Sequence, residues 1–184
     1  MPAAPAISYR AAVPGDALIL SMLATQVFLD TYATRGIHAD LASEASKVYG
    51  PAAFEARLAD PQVEITVAEA GGCALALLDL SLHSCCPVRH VNGPEALRLY
   101  VQAPFQRQGV GRALLRQAEA RAMELSAPSI WLTAWVGNTG ALLFYPRVGY
   151  KKVGVTQYLI EGQAYENSVF AKPLAAGETL DNPD

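Results

Sequence analysis

The spacing of hydrophobic and polar residues along the chain predicts a mixed order of strands and helices. Short alternating or continuous apolar runs predict strands at 7–12, 63–70, 73–82, 95–101, 129–135, 150–156 and 165–171. Helical spacing predicts helices over 17–33, 112–125 and 138–147, and one or two more over 40–59, interrupted near Gly50 and Pro51. Because the two types mix without strict alternation, the pattern favours an α+β fold with one mixed sheet.

Two of the predicted helices have a clear apolar face. In the helix over 17–33, that face consists of Leu20, Leu23, Ala24, Val27, Phe28 and Thr31. Along the helix over 112–125 and the turn that opens it, the apolar face consists of Val110, Leu114, Ala118, Ala122 and Leu125. We expect the polar residues of this helix to face solvent, namely Arg116, Glu119 and Arg121.

The segment between the fourth strand and the long helix has the composition of an anion-binding turn. Residues 106–111 read Gln-Arg-Gln-Gly-Val-Gly, and Arg112 follows. The first amides of a helix have no partner within it and carry the positive end of its dipole. Gly109 and Gly111 would let a ligand approach the backbone closely. The turn therefore suits a pyrophosphate, and a plain helix start with two surface arginines is the alternative.

The flanking residues argue against two other phosphate-binding motifs. A nucleoside-triphosphate P-loop has Lys-Ser or Lys-Thr after its last glycine, whereas Arg112 and Ala113 follow Gly111. The dinucleotide fingerprint has a third glycine three residues further on, where this chain has Leu114.

Two motifs together resemble the Gcn5-related N-acetyltransferase superfamily, over roughly residues 7–174. The turn, preceded by the strand residues 99–101, is similar to the superfamily's coenzyme-A-binding motif, with its defining residues at Gln106, Gly109 and Gly111. A second segment is similar to the Asn-x-x-Ala-x-x-Phe-Tyr-x-x-x-Gly-Phe/Tyr motif at every defining position, which are Asn138, Ala141, Phe144, Tyr145, Gly149 and Tyr150. Pro146 is an unusual residue after the tyrosine, and we expect it to shorten the last helical turn.

This resemblance implies a three-layer arrangement of the α+β fold. It has a mixed, mostly antiparallel sheet of about six or seven strands with helices on both faces, and strands 4 and 5 splay apart. Acetyl-coenzyme A would lie in the V between the strands that end at Val101 and Trp135. The resemblance further implies a single acetyltransferase domain over 1–184, with a loose tail at 175–184.

The resemblance assigns cofactor binding to residues of both motifs. The amides of residues 107–112 would hold the pyrophosphate, and the backbone of Leu99 and Val101 would pair with pantetheine amides like an added strand. The Val101 amide would polarise the thioester carbonyl. Asn138 would bond the cofactor arm, and a helix N-cap is its compatible alternative. The full predicted set is Leu99, Tyr100, Val101, Gln106, Arg107, Gln108, Gly109, Val110, Gly111, Arg112, Asn138, Ala141, Phe144 and Tyr145.

Catalysis would need an acid and a base. Tyr145 resembles the tyrosine that protonates the leaving thiolate, and an aromatic pocket wall is the alternative. Glu95 resembles the acidic general base of the superfamily's histone acetyltransferases, acting through water; a solvated glutamate is the alternative, and Glu69 and Tyr100 are rivals. The predicted substrate-binding residues are Tyr32, Glu69 and Tyr100, with Glu44 and Tyr49 as further candidates for the acceptor pocket.

The implied reaction moves an acetyl group from acetyl-coenzyme A to the primary amine of a small molecule. Residues 28–32, 99–101 and 165–174 resemble a bacterial subgroup that includes polyamine acetyltransferases, so a polyamine-like acceptor is expected. A protein N-terminus or lysine is the second candidate, and a non-catalytic acyl-coenzyme-A sensor is the alternative class. The superfamily also suggests a homodimer.

Composition narrows the compartment and the partners. The net charge is −3 and no long basic run is present, which argues against nucleic acid. No stretch of about 18 apolar residues predicts a membrane helix, and the N-terminal residues do not resemble a secretory signal. Cys73, Cys85 and Cys86 form no disulfide framework, so we expect a reducing, cytoplasmic compartment. With His83 and His90, the two adjacent cysteines match no metal-site spacing, and no metal is predicted.

Overall fold

The computed structural model describes residues 6–160 and 162–174, so the predicted tail at 175–184 lies outside the described residues. The strands are β1 (Ser8–Ala11), β2 (Val63–Ala70), β3 (Cys73–Ser81), β4 (Glu95–Val101), β5 (Ser129–Trp135), β6 (Lys151–Ile160) and β7 (Gln163–Pro173). The helices are α1 (Ala17–Tyr32), α2 (Ala39–Tyr49), α3 (Pro51–Ala59), α4 (Val110–Glu124) and α5 (Thr139–Arg147). Among these residues the sheet has the order β1-β2-β3-β4-β5-β7-β6 and is mixed, which confirms the predicted α+β fold.

The described residues group into two compact units. The first unit contains the residues up to Leu80 together with Arg98–Leu115. The second contains Ser81–Leu97 and the residues from Arg116 onwards. The first therefore holds β1 to β3, α1 to α3, most of β4 and the start of α4, and the second holds the start of β4, the rest of α4, and β5 to β7 with α5.

The first unit is built from antiparallel strands and three helices. β1 pairs with β2, from Ser8 opposite Glu69 to Ala11 opposite Thr66. Gly71 has a positive φ in the turn after β2, as expected for a Gly-Gly turn. The buried core contains the predicted face of α1 except Thr31, together with Leu41, Phe54 and the apolar run of β3. The interruption of the helical region at Gly50 and Pro51 is confirmed, since α2 ends and α3 begins there.

The second unit has a small hydrophobic core to which the loop before β4 contributes a residue. Glu95 lies opposite Trp131 in the parallel β4–β5 pair, and β7 pairs antiparallel with both β5 and β6. Val91, Trp131, Val169 and Ala171 form the buried cluster. The loop approaches β5 closely at Gly93, where a Cβ atom would lie 1.8 Å from the Ser129 carbonyl oxygen. Only glycine fits this contact.

Three local predictions are wrong, the first two because of a tertiary contact and the third because the helix ends earlier than predicted. The strands predicted at 150–156 and 165–171 are longer, because pairing between β6 and β7 continues to Ile160 opposite Gln163. Glu119 is buried rather than solvent-facing, because Lys172 Nζ lies 2.7 Å from its carboxylate. Leu125 lies beyond the end of α4 and is 43% exposed. In the described part of the chain, no helix combines the length and the apolarity needed to cross a membrane.

Candidate active site

The predicted pyrophosphate turn has an unusual backbone. Arg107 has a φ of 60° and Gly109 a φ of 86°, both in the left-handed region. A non-glycine residue rarely adopts such a φ, and this strain is typical of ligand-binding turns. The first helical bond of α4 runs from the Ala113 amide to the Gly109 carbonyl, 3.0 Å away. The amides of residues 110–112 therefore precede the helical ladder and suit an anion.

Two glutamine side chains hold this turn to the end of β4. Gln106 Nε2 donates to the Val101 carbonyl at 3.0 Å. Gln108 Nε2 donates to the Pro104 carbonyl at 2.8 Å. These hydrogen bonds stabilise the conformation of the turn. The side-chain amide of Gln106 is thus engaged within the protein, and the candidate binding groups are the backbone amides of the turn.

Asn138 in the second unit acts as the N-cap of α5. Its Oδ1 accepts a hydrogen bond from the Ala141 amide at 3.0 Å, which satisfies one of the helix's otherwise unpaired donors. At the other end, Pro146 lies within the helix, which ends one residue later at Arg147. Gly149 has a φ of 95°, and the Tyr150 amide donates back to the Tyr145 carbonyl at 3.1 Å.

Tyr145 is enclosed by aromatic rings. Its ring centroid lies 5.3 Å from that of Phe144, 6.0 Å from Tyr150 and 5.6 Å from Phe170, and only 8% of the residue is exposed. Burial raises the pKa of Tyr145 to about 12. Among the described residues, no hydrogen bond engages its hydroxyl. Its phenol is therefore protonated at neutral pH and available as a donor.

A partly buried ion pair lies beside Tyr150, whose ring contacts that of Tyr145. Lys172 Nζ donates to Glu119 Oε2 at 2.7 Å and to the Val148 carbonyl at 3.2 Å. The same ammonium lies 5.7 Å from the centre of the Tyr150 ring. Burial and the neighbouring Glu119 charge raise the pKa of Tyr150. Its hydroxyl oxygen is buried and has no hydrogen-bond partner within the part of the chain that the structure describes.

Glu95 is the first residue of β4 and is only 8% exposed. It is therefore not the solvated glutamate that the loop before it suggested. Burial raises the pKa of the Cys86 thiol, and the charge of Glu95 contributes to that rise. Within the described ranges, no three His, Cys, Asp or Glu side chains gather as a metal site would require.

The predicted substrate residues of the first unit are in different places. Tyr32 and Tyr100 belong to one aromatic row with Phe28 and Tyr49, in which successive ring centroids lie 4.9, 4.8 and 6.0 Å apart. The hydroxyls of Tyr49 and Tyr100 are hydrogen-bonded at 2.8 Å. Glu69 is instead held by Arg10 Nε at 2.9 Å, next to the β1–β2 pair.

Sequence reasoning missed a charged network beside this aromatic row. Asp79 of β3 is fully buried, and Arg57 Nε and Arg98 Nη1 donate to its Oδ2 at 2.7 and 2.6 Å. The Arg98 guanidinium also lies 5.3 Å from the centre of the Tyr49 ring. The available signal was Asp79 itself, because a carboxylate within an otherwise apolar strand requires a partner.

The tyrosine pair carries no charge at ordinary pH. Burial, followed by the influence of the Tyr49 phenol, raises the pKa of Tyr100 well above its usual value. Burial likewise raises the pKa of Tyr49. A base must lose its proton before it can act, so these phenols suit hydrogen bonding rather than proton removal.

Comparison with known proteins identifies what this chain is similar to. The model of the family described as Acetyltransferase (GNAT) family matches residues 32–150. An uncharacterised N-acetyltransferase in the pepI 3′ region of Lactobacillus delbrueckii subsp. lactis is 29% identical over 83 residues, covering 45% of this chain and 48% of that protein. The match thus spans about half the length of this curated relative.

Solved structures agree with the fold over nearly the whole chain. The PaiA N-acetyltransferase of Thermoplasma acidophilum, in complex with coenzyme A, has a TM-score of 0.73 at 19% identity, covering 91% of this chain and 99% of that one. YncA of Salmonella typhimurium, solved with its cofactor acetyl-CoA, has a TM-score of 0.64 at 17% identity, covering 96% and 98%. At these identities the likeness concerns the fold.

Proposed function

The chain belongs to the acetyltransferase (GNAT) family, and we propose from this premise that it moves an acetyl group from acetyl-coenzyme A to the primary amine of a small molecule. The backbone of the turn at 106–112 is the observation that carries this proposal. Its left-handed residues Arg107 and Gly109 lie just before helix amides that no helical bond uses. Such a turn binds pyrophosphate through backbone donors, and the solved relatives named above contain coenzyme A or acetyl-CoA.

In the proposed reaction the amine nitrogen attacks the thioester carbonyl carbon, and the carbon–sulfur bond breaks. The Val101 amide would stabilise the oxyanion, a contribution of about 3 kcal/mol for a typical donor. The thiolate takes its proton from Tyr145, whose buried phenol has a pKa of about 12 and therefore remains protonated. The proton that the attacking nitrogen loses as it becomes an amide restores the phenol. Asn138 caps α5 through Oδ1, and we assign its NH₂ group to the cofactor arm.

The ammonium must lose a proton before it attacks, and we assign this step to Glu95 through water. Glu95 is buried at the start of β4, opposite Trp131 of β5. Its rivals are less suited, because Glu69 is held by Arg10 and the pKa of Tyr100 is raised.

The acceptor is the least constrained part of the proposal. A polyamine-like amine is the acceptor indicated by the sequence, and a protein N-terminus or lysine is the alternative. The aromatic row of Phe28, Tyr32, Tyr49 and Tyr100 supports a small acceptor with an apolar part, because aromatic side chains are typical of ligand-pocket walls. We further propose a cytoplasmic enzyme, with a homodimer as its expected assembly.

Thiol release measured with acetyl-coenzyme A and a panel of primary amines tests the proposal. We expect turnover in the wild type, and Tyr145→Phe should lower kcat by about 10²-fold or more because general acid catalysis is lost. Leu143→Gln, on the exposed side of α5, is the matched control and should retain activity.

Binding of coenzyme A separates the enzyme from the sensor alternative. A ligand at 100 times its Kd stabilises a protein by about 2.7 kcal/mol, and Gly109→Ala should reduce that stabilisation because φ at residue 109 is 86°. Stabilisation without thiol release for any amine would indicate a sensor, and absence of stabilisation would contradict cofactor binding altogether.

A further inference from the structure

Arg57, Asp79, Arg98, Tyr49 and Tyr100 form a connected set in the first unit, which we call the arginine–tyrosine cluster. Two guanidiniums share one carboxylate, and Asp79 is fully buried whereas the side chain of Arg98 is 11% exposed. Residues from α2, α3, β3 and β4 thus meet around a single anion. Asp79 is thus bound by two guanidiniums at once.

Both carboxylate oxygens of Asp79 accept hydrogen bonds from arginines of the cluster. Oδ2 accepts from Arg57 Nε at 2.7 Å and Arg98 Nη1 at 2.6 Å, and Oδ1 accepts from Arg57 Nη2. Glu44, another carboxylate whose charge acts on Tyr49, is buried and already engaged. The cluster therefore offers no open carboxylate to an ammonium group.

The donors of the cluster, by contrast, are not used up. A guanidinium carries several N–H groups; Arg98 uses Nη1 for the Asp79 carboxylate and also acts on the Tyr49 hydroxyl through its side chain. No Arg98 nitrogen in the described part of the chain is buried without a hydrogen-bond partner. The Arg98 side chain is 11% exposed, so part of its guanidinium can meet a ligand.

The tyrosine pair contributes one more donor. In the bond between the Tyr49 and Tyr100 hydroxyls, one phenol donates and the other accepts at 2.8 Å. The accepting phenol must direct its own O–H elsewhere, since both groups keep their protons. The pair and Arg98 together present donors to whatever group approaches them.

We propose that Arg98 and the Tyr49–Tyr100 pair bind a carboxylate of the acceptor, so that the preferred substrates are amines that carry a carboxylate. This inference rests on the proposed function, because it names the substrate class of the acceptor pocket. The aromatic row beside the cluster packs against the carbon chain of such a substrate. A polyamine would instead bring a second cation towards Arg98, which is unfavourable.

Binding measured by calorimetry in the presence of coenzyme A tests this preference without requiring turnover. The probes are pairs that differ only in the carboxylate, namely lysine with cadaverine and phenylalanine with phenethylamine, and spermidine. Amino acids with a longer separation between amine and carboxylate, such as 4-aminobutyrate and 6-aminohexanoate, measure the reach of the site.

We expect the carboxylated member of at least one pair to bind about tenfold tighter or more, the equivalent of about 1.4 kcal/mol. Equal or tighter binding of the decarboxylated amines and of spermidine would overturn the proposal, as would absence of binding by every probe.

Arg98→Lys and Arg57→Lys form a matched pair of variants, because both arginines bind Asp79 and only Arg98 faces Tyr49. Arg98→Lys should reduce the preference for the carboxylated amine about tenfold or more, chiefly through KM, because lysine cannot offer a planar set of donors. Arg57→Lys should lower the thermal midpoint and keep the preference. Equal loss in both variants would assign the effect to Asp79 and overturn the proposal.

Tyr100→Phe keeps the ring and removes a hydroxyl, so it tests the second part of the site in a protein that retains its packing. It should weaken binding of the carboxylated amine and leave that of its partner unchanged. A wild type that binds carboxylated amines through Arg98 but releases no thiol would refute the proposed function and support this inference. A wild type that acetylates both members of each pair equally would support the proposed function and refute this inference.

Discussion

Each unit of the molecule contains a buried carboxylate in an ion pair, Asp79 in the first and Glu119 in the second, and the two are neutralised differently. Asp79 in the first unit is fully buried and is shared by two arginines. Glu119 in the second unit meets a single lysine, whose remaining bond goes to the Val148 carbonyl. In the second arrangement one cation balances one carboxylate and also contacts the Val148 carbonyl and the Tyr150 ring. In the first, two cations share one carboxylate, which fits the carboxylate-binding role proposed for Arg98.

The accessibility of the two pairs also differs, and this difference sets their energetic weight. The side chain of Asp79 is 0% exposed, whereas those of Lys172 and Glu119 are 27% and 11% exposed. A partner removed from a fully buried pair leaves a charge that water cannot reach. Water can partly solvate the charge left in the second unit, so the same kind of substitution should cost less there.

The largest expected effect concerns Asp79. Asp79→Asn keeps the shape and removes the charge that Arg57 and Arg98 share, so we expect the free energy of unfolding to fall by about 3–5 kcal/mol. Urea denaturation measures this change, and Asp60→Asn, at an exposed position, is the control. A loss no greater than that of Glu119→Gln would contradict the difference drawn between the two carboxylates.

The second expected effect is the part of the alkaline loss of stability that Tyr145 of the second unit contributes, beside that of the first unit's Tyr49 and Tyr100, whose pKa is also raised. The pKa of Tyr145 is raised by burial from 10.0 to about 12. Because the unfolded phenol loses its proton first, stability that is present below pH 10 falls as the pH rises towards about 12. A difference of two pKa units between the folded and unfolded states corresponds to about 2.7 kcal/mol in the free energy of unfolding. Tyr145→Phe should remove this part of the decline in denaturation curves recorded from pH 8 to 12.

The smallest of the three effects concerns Lys172. Lys172→Met leaves Glu119 without its cation, and we expect a loss of about 2 kcal/mol, discounted for the partial exposure of the pair. Glu119→Gln with Lys172→Met should recover part of that loss, since no unpaired charge then remains. Thermal denaturation at neutral pH measures both variants, and a double variant no more stable than the single one would show that the pair acts through packing rather than charge.

Local pattern predicted a large part of the fold. β2, β4 and β5 have the predicted ends, because alternation of apolar residues and the turns that bound them are local features. The N-cap at Asn138 and the break at Gly50 follow from short-range backbone chemistry. The ends of β6 and β7 could not be predicted, because pairing with each other extends them through polar residues such as Gln157 and Gln163.

For the candidate site, the sequence predicted which residues belong to it but not the backbone conformation of its turn. The motif residues from Gln106 to Arg112 and from Asn138 to Tyr145 are contiguous, so their spacing identified them. The left-handed φ of Arg107 was not predicted, although the side chains of Gln106 and Gln108 that hold the turn bond only five and four residues back along the chain.

The sequence by itself determined the family, the order of the elements and the position of the two motifs, since all of these depend on residues that are neighbours along the chain. Only the tertiary structure decided which charges meet. Arg57 lies 22 positions from Asp79, and Lys172 lies 53 positions from Glu119. A buried charge must find its partner wherever folding places one, and no spacing along the chain records that choice.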